Sequence, residues 1–122
     1  MPIRTIERDG YVEFHVTGAI DAEGIMEHIQ QHFSVRNDKC ALWDMRDADL
    51  SSLSVERFGD IVRTADSMKD RRLPGPRSAV LAILRPDYLL ASAFAARAEA
   101  EAVFPMKVFD DRDKALAWLL AD

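Results

Sequence analysis

Short apolar segments alternate with amphipathic segments along most of the chain, and this alternation constrains the fold more than any single motif. Residues 79–84 form a run without a polar interruption, as expected for a central strand that is covered on both faces. Amphipathic segments precede and follow this run. When strands and helices alternate, neighbouring strands pair in parallel, because each helix returns the chain to the edge where the previous strand began. The pattern therefore predicts an α/β fold.

The beginning of the chain predicts an antiparallel hairpin instead. Residues 3–8 and 11–17 flank Asp9 and Gly10. This dipeptide favours a two-residue type I′ turn, because Gly readily adopts positive φ and Asp tolerates it. Apolar and polar residues alternate in the second strand, so one face is expected in the core and the other is more polar. Gly18 is predicted to end this strand.

Four helices are predicted from capping residues and from apolar positions that share one face. Asp21 is expected to cap the first helix and Ser54 the second. Pro86 opens an Ala-rich third helix, and Asp110 with Asp113 forms a capping pair for the last. The predicted helices cover residues 21–33, 55–68, 86–102 and a C-terminal segment that begins near residue 110. The predicted strands between them cover residues 41–43, 79–84 and 106–109.

These elements follow one another in the order β-β-α-β-α-β-α-β-α. The order predicts a single mixed, mostly parallel β-sheet of about five strands with four helices. No internal repeat, linker or low-complexity tract interrupts the sequence. One domain is therefore predicted over residues 1–122.

Composition excludes several classes of protein. Apolar residues make up 48% of the chain and charged residues 30%, which is typical of a globular domain rather than of a disordered chain. The net charge of -5 argues against a nucleic-acid surface, which needs clustered Lys and Arg. No apolar run is long enough for a transmembrane segment, and the N-terminus lacks a signal sequence. Because Cys40 is the single cysteine, no intramolecular disulfide can form, and a reduced, cytoplasmic location is expected.

Motifs for cofactors and metals are also absent from the sequence. Neither GxGxxG nor GxxxxGK[ST] occurs, so no cofactor is predicted. His28 and His32 have the i, i+4 spacing of some metal ligands, but this segment supplies no third ligand. No metal site is predicted.

One stretch concentrates positive charge, with Lys69, Arg71 and Arg72 followed by Arg77. It is a candidate contact for an anionic lipid or an acidic partner. The alternative is ordinary exposed charge in a solvated loop. The sequence does not decide between these two interpretations.

Two stretches resemble the small bacterial SpoIIAA-like members of the STAS superfamily. The first is DxxDxDLSSLS at residues 44–54, and the second is the ending KVFDDRDKALAWL. The resemblance runs over essentially the whole chain and implies a regulatory domain that is not an enzyme. In anti-sigma-factor antagonists of this superfamily, a phosphorylatable Ser follows an Asp in the corresponding loop and a Gly comes after it. Here Leu50 separates Asp49 from the serines, and Leu53 stands at the position of the Gly.

The resemblance and the predicted topology point to the same segment. Residues 44–54 are predicted to leave the carboxyl end of a parallel strand, where open α/β sheets bind ligands. Ser51 and Ser52 are candidate phospho-acceptors, because the N-terminus of the second helix favours an anion. Arg46 or Arg57 is a candidate charge partner for the phosphate. The candidate partner-binding or ligand-binding residues are Asp44, Arg46, Asp49, Ser51, Ser52, Ser54 and Arg57.

Several interpretations of the chain stay open. Ser54 can serve only as a helix cap, with the aspartates bonding only the turn. The leading functional hypothesis is a regulatory or protein-interaction module, and the second is a carrier or sensor of a small apolar, lipid-like ligand. A small enzyme using Asp44 with a nearby serine or histidine is the weakest, because no nucleophile, base and orienting group occur together. The Ala-rich helix, with Phe94 or Tyr88, is a candidate apolar patch for a partner or a homodimer.

Overall fold

The computed structural model describes residues 2–101 and 103–121, in which five strands and four α-helices follow the predicted order. The strands are β1 (Ile3–Arg8), β2 (Tyr11–Ala19), β3 (Cys40–Asp49), β4 (Arg77–Leu81) and β5 (Met106–Phe109). The helices are α1 (Ala22–Phe33), α2 (Phe58–Met68), α3 (Arg85–Ala100) and α4 (Arg112–Leu119). The 3₁₀ turns Val55–Arg57 and Lys69–Arg71 lie directly before and after α2. Ala102, the predicted end of the third helix, lies outside the described residues.

The five strands form one sheet in the order β1-β2-β3-β4-β5. β1 and β2 pair antiparallel, and each later neighbouring pair is parallel. This confirms the predicted mixed, mostly parallel sheet with an N-terminal hairpin. The strands from β2 to β5 therefore end at the same side of the sheet, the carboxyl edge, and begin at the opposite side, the amino edge.

The larger core lies between the sheet and α1, α2 and α3. Phe14 of β2 is fully buried there. The centroid of its ring lies 4.5 Å from that of Trp43 and 6.2 Å from that of Phe33. Aromatic pairs at such distances stabilise a core beyond the burial of their area.

The smaller core lies on the other face of the sheet, beneath α4. Leu42 and Leu81 pack there against Ala115 and Leu119. Cys40 is also buried on this face, and its thiol donates a hydrogen bond to the Leu119 carbonyl at 3.3 Å. Strand residues alternate between the two cores because successive side chains of a strand point to opposite faces.

The predicted N-caps before α1 and α2 are confirmed. The Asp21 carboxylate accepts a hydrogen bond from the Gly24 amide at 2.9 Å, and the Ser54 hydroxyl accepts one from the Glu56 amide at 3.2 Å. Each bond satisfies an amide that has no partner inside its helix. Among the described residues, no helix combines the length and apolar character needed to cross a bilayer.

The predicted cap of α4 is wrong by one residue. Asp111, not Asp110, directly precedes the helix, and its carboxylate accepts hydrogen bonds from the amides of Asp113 and Lys114 at 2.8 and 3.2 Å. A cap must occupy the residue before the first helical one, so that its side chain reaches the amides of the first turn.

β2 and β3 are longer than the sequence predicts. β2 continues through Gly18 to Ala19, and β3 runs past Asp44 to Asp49, because their final residues pair with each other. Gly18 has a φ of 70°, a left-handed value that a residue without Cβ adopts readily. The predicted break at Gly18 is therefore wrong.

β4 is shorter than the predicted run of residues 79–84. It ends at Leu81 because its partner, β5, ends at the paired residue Phe109. Ile83 and Leu84 lie beyond this point and are exposed. An apolar run alone thus gives the position of a central strand but not its end.

Replacing Gly18 by Ala is expected to lower the free energy of unfolding by about 1–2 kcal/mol, because an L-residue is strained at this positive φ. Apart from its chain neighbours, no atom lies within 4 Å of the position of the added Cβ, so the cost comes from the backbone. Gly18→Asn is the matched control and should cost less, since Asn tolerates the left-handed region. Urea denaturation measures both. Equal losses for the two variants would contradict this account.

Candidate functional site

The serine turn, residues 49–54, leaves the carboxyl edge of the sheet at the end of β3. The Leu53 amide donates a hydrogen bond to the Leu50 carbonyl at 3.0 Å, which closes a β-turn around Ser51 and Ser52. Leu50 is buried, whereas both serines are exposed. The turn therefore presents two hydroxyl groups to solvent on a segment that an apolar side chain anchors.

Asp49 stabilises the serine turn from its first position. Its Oδ1 accepts a hydrogen bond from the Ser51 amide at 3.0 Å. Hydrogen bonds from the side chain and the amide of Ser51 lower the pKa of the Asp49 carboxyl. A negative charge consequently lies beside the two serines at neutral pH.

Asp44 and Arg46 do not lie in the serine turn, so the predicted loop over residues 44–54 is wrong in its first part. Both residues belong to β3. The Asp44 carboxylate is buried and accepts two hydrogen bonds from the Arg46 guanidinium, at 3.0 and 2.9 Å, and one from the Arg46 amide at 3.1 Å. Burial acts to raise the pKa of Asp44, but these bonds and the charges of Arg46 and His15 together hold it below its usual value.

A polar cluster surrounds Asp44 beside the first turn of α4. His15 of β2 bridges two carboxylates, with Nδ1 3.3 Å from Asp44 Oδ2 and Nε2 3.1 Å from Asp47 Oδ2. Glu13 is buried and pairs with Arg112. This strand cluster consists of Glu13, His15, Asp44, Arg46, Asp47 and Arg112. Asp44 and Arg46 belong to the sequence-based site, whereas Glu13, His15, Asp47 and Arg112 are missing from it. Polar residues at alternate positions of β2 are the signal that points to Glu13 and His15.

The strand cluster offers few ligands to a metal ion. Donor atoms of Glu13, His15 and Asp44 lie within 4.8 Å of one another. Both carboxylates, however, are already paired with arginines, Glu13 with Arg112 and Asp44 with Arg46. A cation would have to compete with these guanidinium groups. The cluster is therefore best described as an ion-pair network that joins β2, β3 and α4.

Arg57 lies at the start of α2 but is turned to other carboxylates. Its guanidinium pairs with Glu23 of α1 and, at 2.8 Å, with Asp60 of α2. Arg46 is bound to Asp44. Both arginines that the sequence suggested as charge partners of a phosphoserine are thus already engaged.

The two histidines of α1 stack on each other, with ring centroids 6.3 Å apart, but have different hydrogen-bond partners. His32 is buried, and its Nε2 lies 2.8 Å from Asp38 Oδ2. His28 Nε2 lies 3.1 Å from the Thr5 hydroxyl. Burial and the charge of His32 lower the pKa of His28 to about 4, so His28 is neutral at neutral pH.

Within the basic stretch after α2, where Arg71 is exposed, Arg72 is buried and only 7% exposed. Its guanidinium donates hydrogen bonds to four acceptors, the carbonyls of Asp38, Lys39 and Arg77 and the hydroxyl of Ser78. These acceptors belong to the amino ends of β3 and β4. Arg72 therefore holds the two strands together at the amino edge.

An apolar cavity of about 80 Å³ lies between the sheet and α1, α2 and α3. Its lining is aliphatic, aromatic and Met side chains, with Arg72 and Ser78 as the polar contributions. Leu50 and Leu53 of the serine turn line it as well. The cavity thus reaches from residues of the carboxyl edge to residues of the amino edge.

Comparisons by sequence and by structure give different results. No protein-family model matches the sequence, and a search of curated proteins gives no significant match. A DUF3478-family protein with a SpoIIAA-like fold from Shewanella loihica superposes with a TM-score of 0.60 at 18% identity, over 96% of this chain and 91% of that one. An anti-sigma factor antagonist from Mycobacterium paratuberculosis gives 0.60 at 15% identity, over 96% and 92%. The anti-sigma factor antagonist SpoIIAA, unphosphorylated, gives 0.56 at 10% identity, over 98% and 99%.

Each of these superpositions covers nearly the whole of both chains, and that coverage decides the architecture. The chain has the SpoIIAA-like fold. The resemblance expected from the sequence is therefore confirmed for the fold, together with the order of the elements and the mixed sheet.

The SpoIIAA-like fold places the predicted site residues in three locations. Asp49, Ser51, Ser52 and Ser54 lie together in the serine turn. Asp44 and Arg46 lie in the strand cluster, and Arg57 lies at the end of the Val55–Arg57 turn. Of the predicted site residues, the four in the serine turn form the largest group that the fold brings together.

Asp44→Asn is expected to lower the free energy of unfolding by about 1–3 kcal/mol at neutral pH, because it removes a buried, charge-assisted pair with Arg46. Folding lowers the pKa of Asp44 below 3.8, its value in the unfolded chain. The contribution of the Asp44 charge to the free energy of unfolding is therefore complete above pH 3.8 and is lost as pH falls through the lower pKa of the folded state. The difference from wild type should therefore shrink below about pH 4. Urea denaturation at several pH values measures it. A difference that stayed constant down to about pH 2 would contradict the role of the charge.

Proposed function

We propose that this chain is a non-enzymatic, SpoIIAA-like regulatory module that binds a protein partner through the serine turn, under the control of serine phosphorylation. The observation that carries the proposal is the exposure of Ser51 and Ser52 at the carboxyl edge of the parallel strands. Ligands and partners of open α/β sheets bind at this edge. A kinase also needs an accessible hydroxyl on a segment that can enter its active site, and a surface turn provides one.

Exposed apolar side chains at the same edge support a protein partner. Val55 directly follows the serine turn, and Ile83 and Leu84 follow β4. Their exposed fractions are 58%, 56% and 66%. In a protein interface the core is apolar and the rim is polar. The exposed apolar side chains are therefore suited to the core of an interface, and the polar serine turn is suited to its rim.

The charges around the turn indicate how phosphorylation would act. A phosphoryl group adds about -1.5 to -2 charges next to Asp49. Because Arg46 and Arg57 are held by other carboxylates, the new charge would face solvent or the partner rather than an internal arginine. The phosphate would therefore weaken binding directly, since a partner that covers Val55 and Leu84 would have to desolvate it.

The fold of the two anti-sigma factor antagonists is consistent with this proposal. At 10% to 15% identity, the likeness extends to the architecture, and the partner of this chain has to be found from its own surface. Catalysis has less support. The hydroxyls of Ser51 and Ser52 lie in the turn, whereas the histidine nearest to Asp44 lies in the strand cluster, so the parts of a nucleophilic site are on different surfaces.

Ser51→Asp and Ser52→Asp are expected to weaken binding of a partner co-purified from the source cells by about tenfold, with an unchanged melting temperature. Ser51→Ala and Ser52→Ala should bind as wild type does. Ser67→Asp is the matched control, because Ser67 is exposed on the last turn of α2 and carries the same substitution away from the serine turn. Calorimetric titration measures the affinities. Equal binding by wild type and both Asp variants would refute the proposed surface.

The apolar cavity favours a second candidate function, the carriage or sensing of a small apolar ligand. Its volume of about 80 Å³ is several times the roughly 10–15 Å³ that a single water needs. Apolar cavities stay dry and accept apolar molecules. The cavity does not help the domain to fold, because a void in a close-packed core lowers its stability.

Protein isolated from its source cells under mild conditions is expected to carry a stoichiometric apolar molecule, which native mass spectrometry would detect. Ala91 lines the cavity on α3, so Ala91→Leu should fill it and lower the bound fraction at least fivefold. Ala93→Leu makes the same change on the exposed side of α3 and should leave the bound fraction unchanged. A ligand-free wild-type preparation would count against this function.

A further inference from the structure

We propose that the ligand of the apolar cavity is a small carboxylic acid, bound with its carboxylate at Arg72 and Ser78 and its apolar part against the cavity wall. This inference rests on the second candidate function and specifies the chemistry of its ligand. It assigns a binding role to Arg72, one of the basic residues that follow α2.

Arg72 is a buried cation with incomplete compensation. Its four hydrogen-bond acceptors are three carbonyls and one hydroxyl, all of them neutral. Its guanidinium also lies 4.8 Å from the ring centroids of Phe33 and Phe104. Burial lowers the pKa of Arg72 to about 10, and the electrostatic interactions with Cys40 and Asp38 offset this only in part. A bound anion would supply the missing compensation.

The hydrogen-bond geometry at Arg72 leaves donors that suit a carboxylate. A guanidinium has five N–H groups, and the four bonds use Nε–H, one hydrogen of Nη1 and both of Nη2. Within residues 2–101 and 103–121, the second hydrogen of Nη1 has no acceptor. The Ser78 hydroxyl accepts from Arg72 and keeps its own hydrogen to donate, and it is 2% exposed. The two oxygens of one carboxylate can accept both hydrogens.

A route to the outside is also present at Arg72. Arg72 and Phe104 line both the apolar cavity and a surface groove at the amino edge. Among the described residues that line the groove, four are basic, Lys39, Lys69, Arg72 and Arg77, and one is acidic, Asp70. This excess of positive charge favours the approach of an anion. An apolar molecule without an acid group has no such attraction to the groove.

The size of the cavity restricts the apolar part of the acid. Its volume of about 80 Å³ is roughly half of the ~150 Å³ engineered cavity that binds benzene. Benzene has six carbons, so roughly half of that volume holds an apolar part of about three carbons. Butanoate, whose propyl group has three carbons, is therefore a suitable probe.

The test is calorimetric titration of ligand-free protein with butanoate and with butanamide, which has the same length but no charge. Butanoate is expected to bind about tenfold more tightly than butanamide at neutral pH. Ser78→Ala should weaken butanoate binding about fivefold or more and change butanamide binding less, because the hydroxyl donor is lost.

Arg72→Met should abolish the preference for butanoate over butanamide. Arg71→Met is the matched control, because it removes the same charge from the same stretch. Arg71 is exposed and does not line the cavity. It should leave both affinities unchanged. Thermal denaturation reports the folding of each variant, and Ser78→Ala decides the question if Arg72→Met does not fold.

The outcomes separate this inference from the function on which it rests. Equal binding of butanoate and butanamide would overturn the carboxylate site and leave an apolar ligand in place. A preference for butanoate that survives in Ser78→Ala, and in a folded Arg72→Met, would also overturn it. Absence of binding by both probes, together with a ligand-free protein from source cells, would refute the ligand function itself.

Discussion

The parallel pairing of β2 with β3 determines where the candidate functional residues lie. Its register runs from Val12 opposite Ala41 to Ala19 opposite Asp49, and between His15 and Thr17 it accommodates one extra residue of β3. Such an extra residue is a β-bulge, which bends a strand and re-aims its side chains. Because pairing continues to Asp49, the serines can only lie beyond the sheet. Because Asp44 pairs with His15 inside the sheet, it lies outside the serine turn and at the centre of the strand cluster.

The parts of this fold that the sequence predicts are those set by local interactions. The hairpin depends on Asp9 and Gly10, and the N-caps depend on Asp21 and Ser54, so adjacent residues contain the information. The length of β3 is different. Its polar residues are typical of a loop by composition. They are accommodated in a strand because β2 pairs with β3 to its end and His15 of β2 lies against both Asp44 and Asp47. That compensation depends on the tertiary structure, which no local pattern encodes.

Arg72 shows the same limit for the candidate site. A basic residue between Arg71 and a Pro-Gly-Pro segment is typical of an exposed loop, and its neighbours in sequence do not indicate burial. It is buried because carbonyls at the amino ends of two strands, distant in sequence, converge on one guanidinium. The serine turn could be predicted, since it needs only the end of a strand and the start of a helix. The polar end of the cavity, formed by Arg72 and Ser78, could not be predicted, because it depends on contacts between segments that are distant in sequence.

The two candidate functions meet in the serine turn. Leu50 and Leu53 line the apolar cavity, and the hydrogen bond between them closes the turn that presents Ser51 and Ser52. Because both leucines line the cavity, a ligand there would contact them, and we expect it to change the stability of the turn. A partner that binds the turn would in turn change the affinity for the ligand by the same factor, because coupling between binding sites is reciprocal. Leucine at position 53, where the related motif has glycine, provides this contact, since only a side chain can reach from the turn into the core.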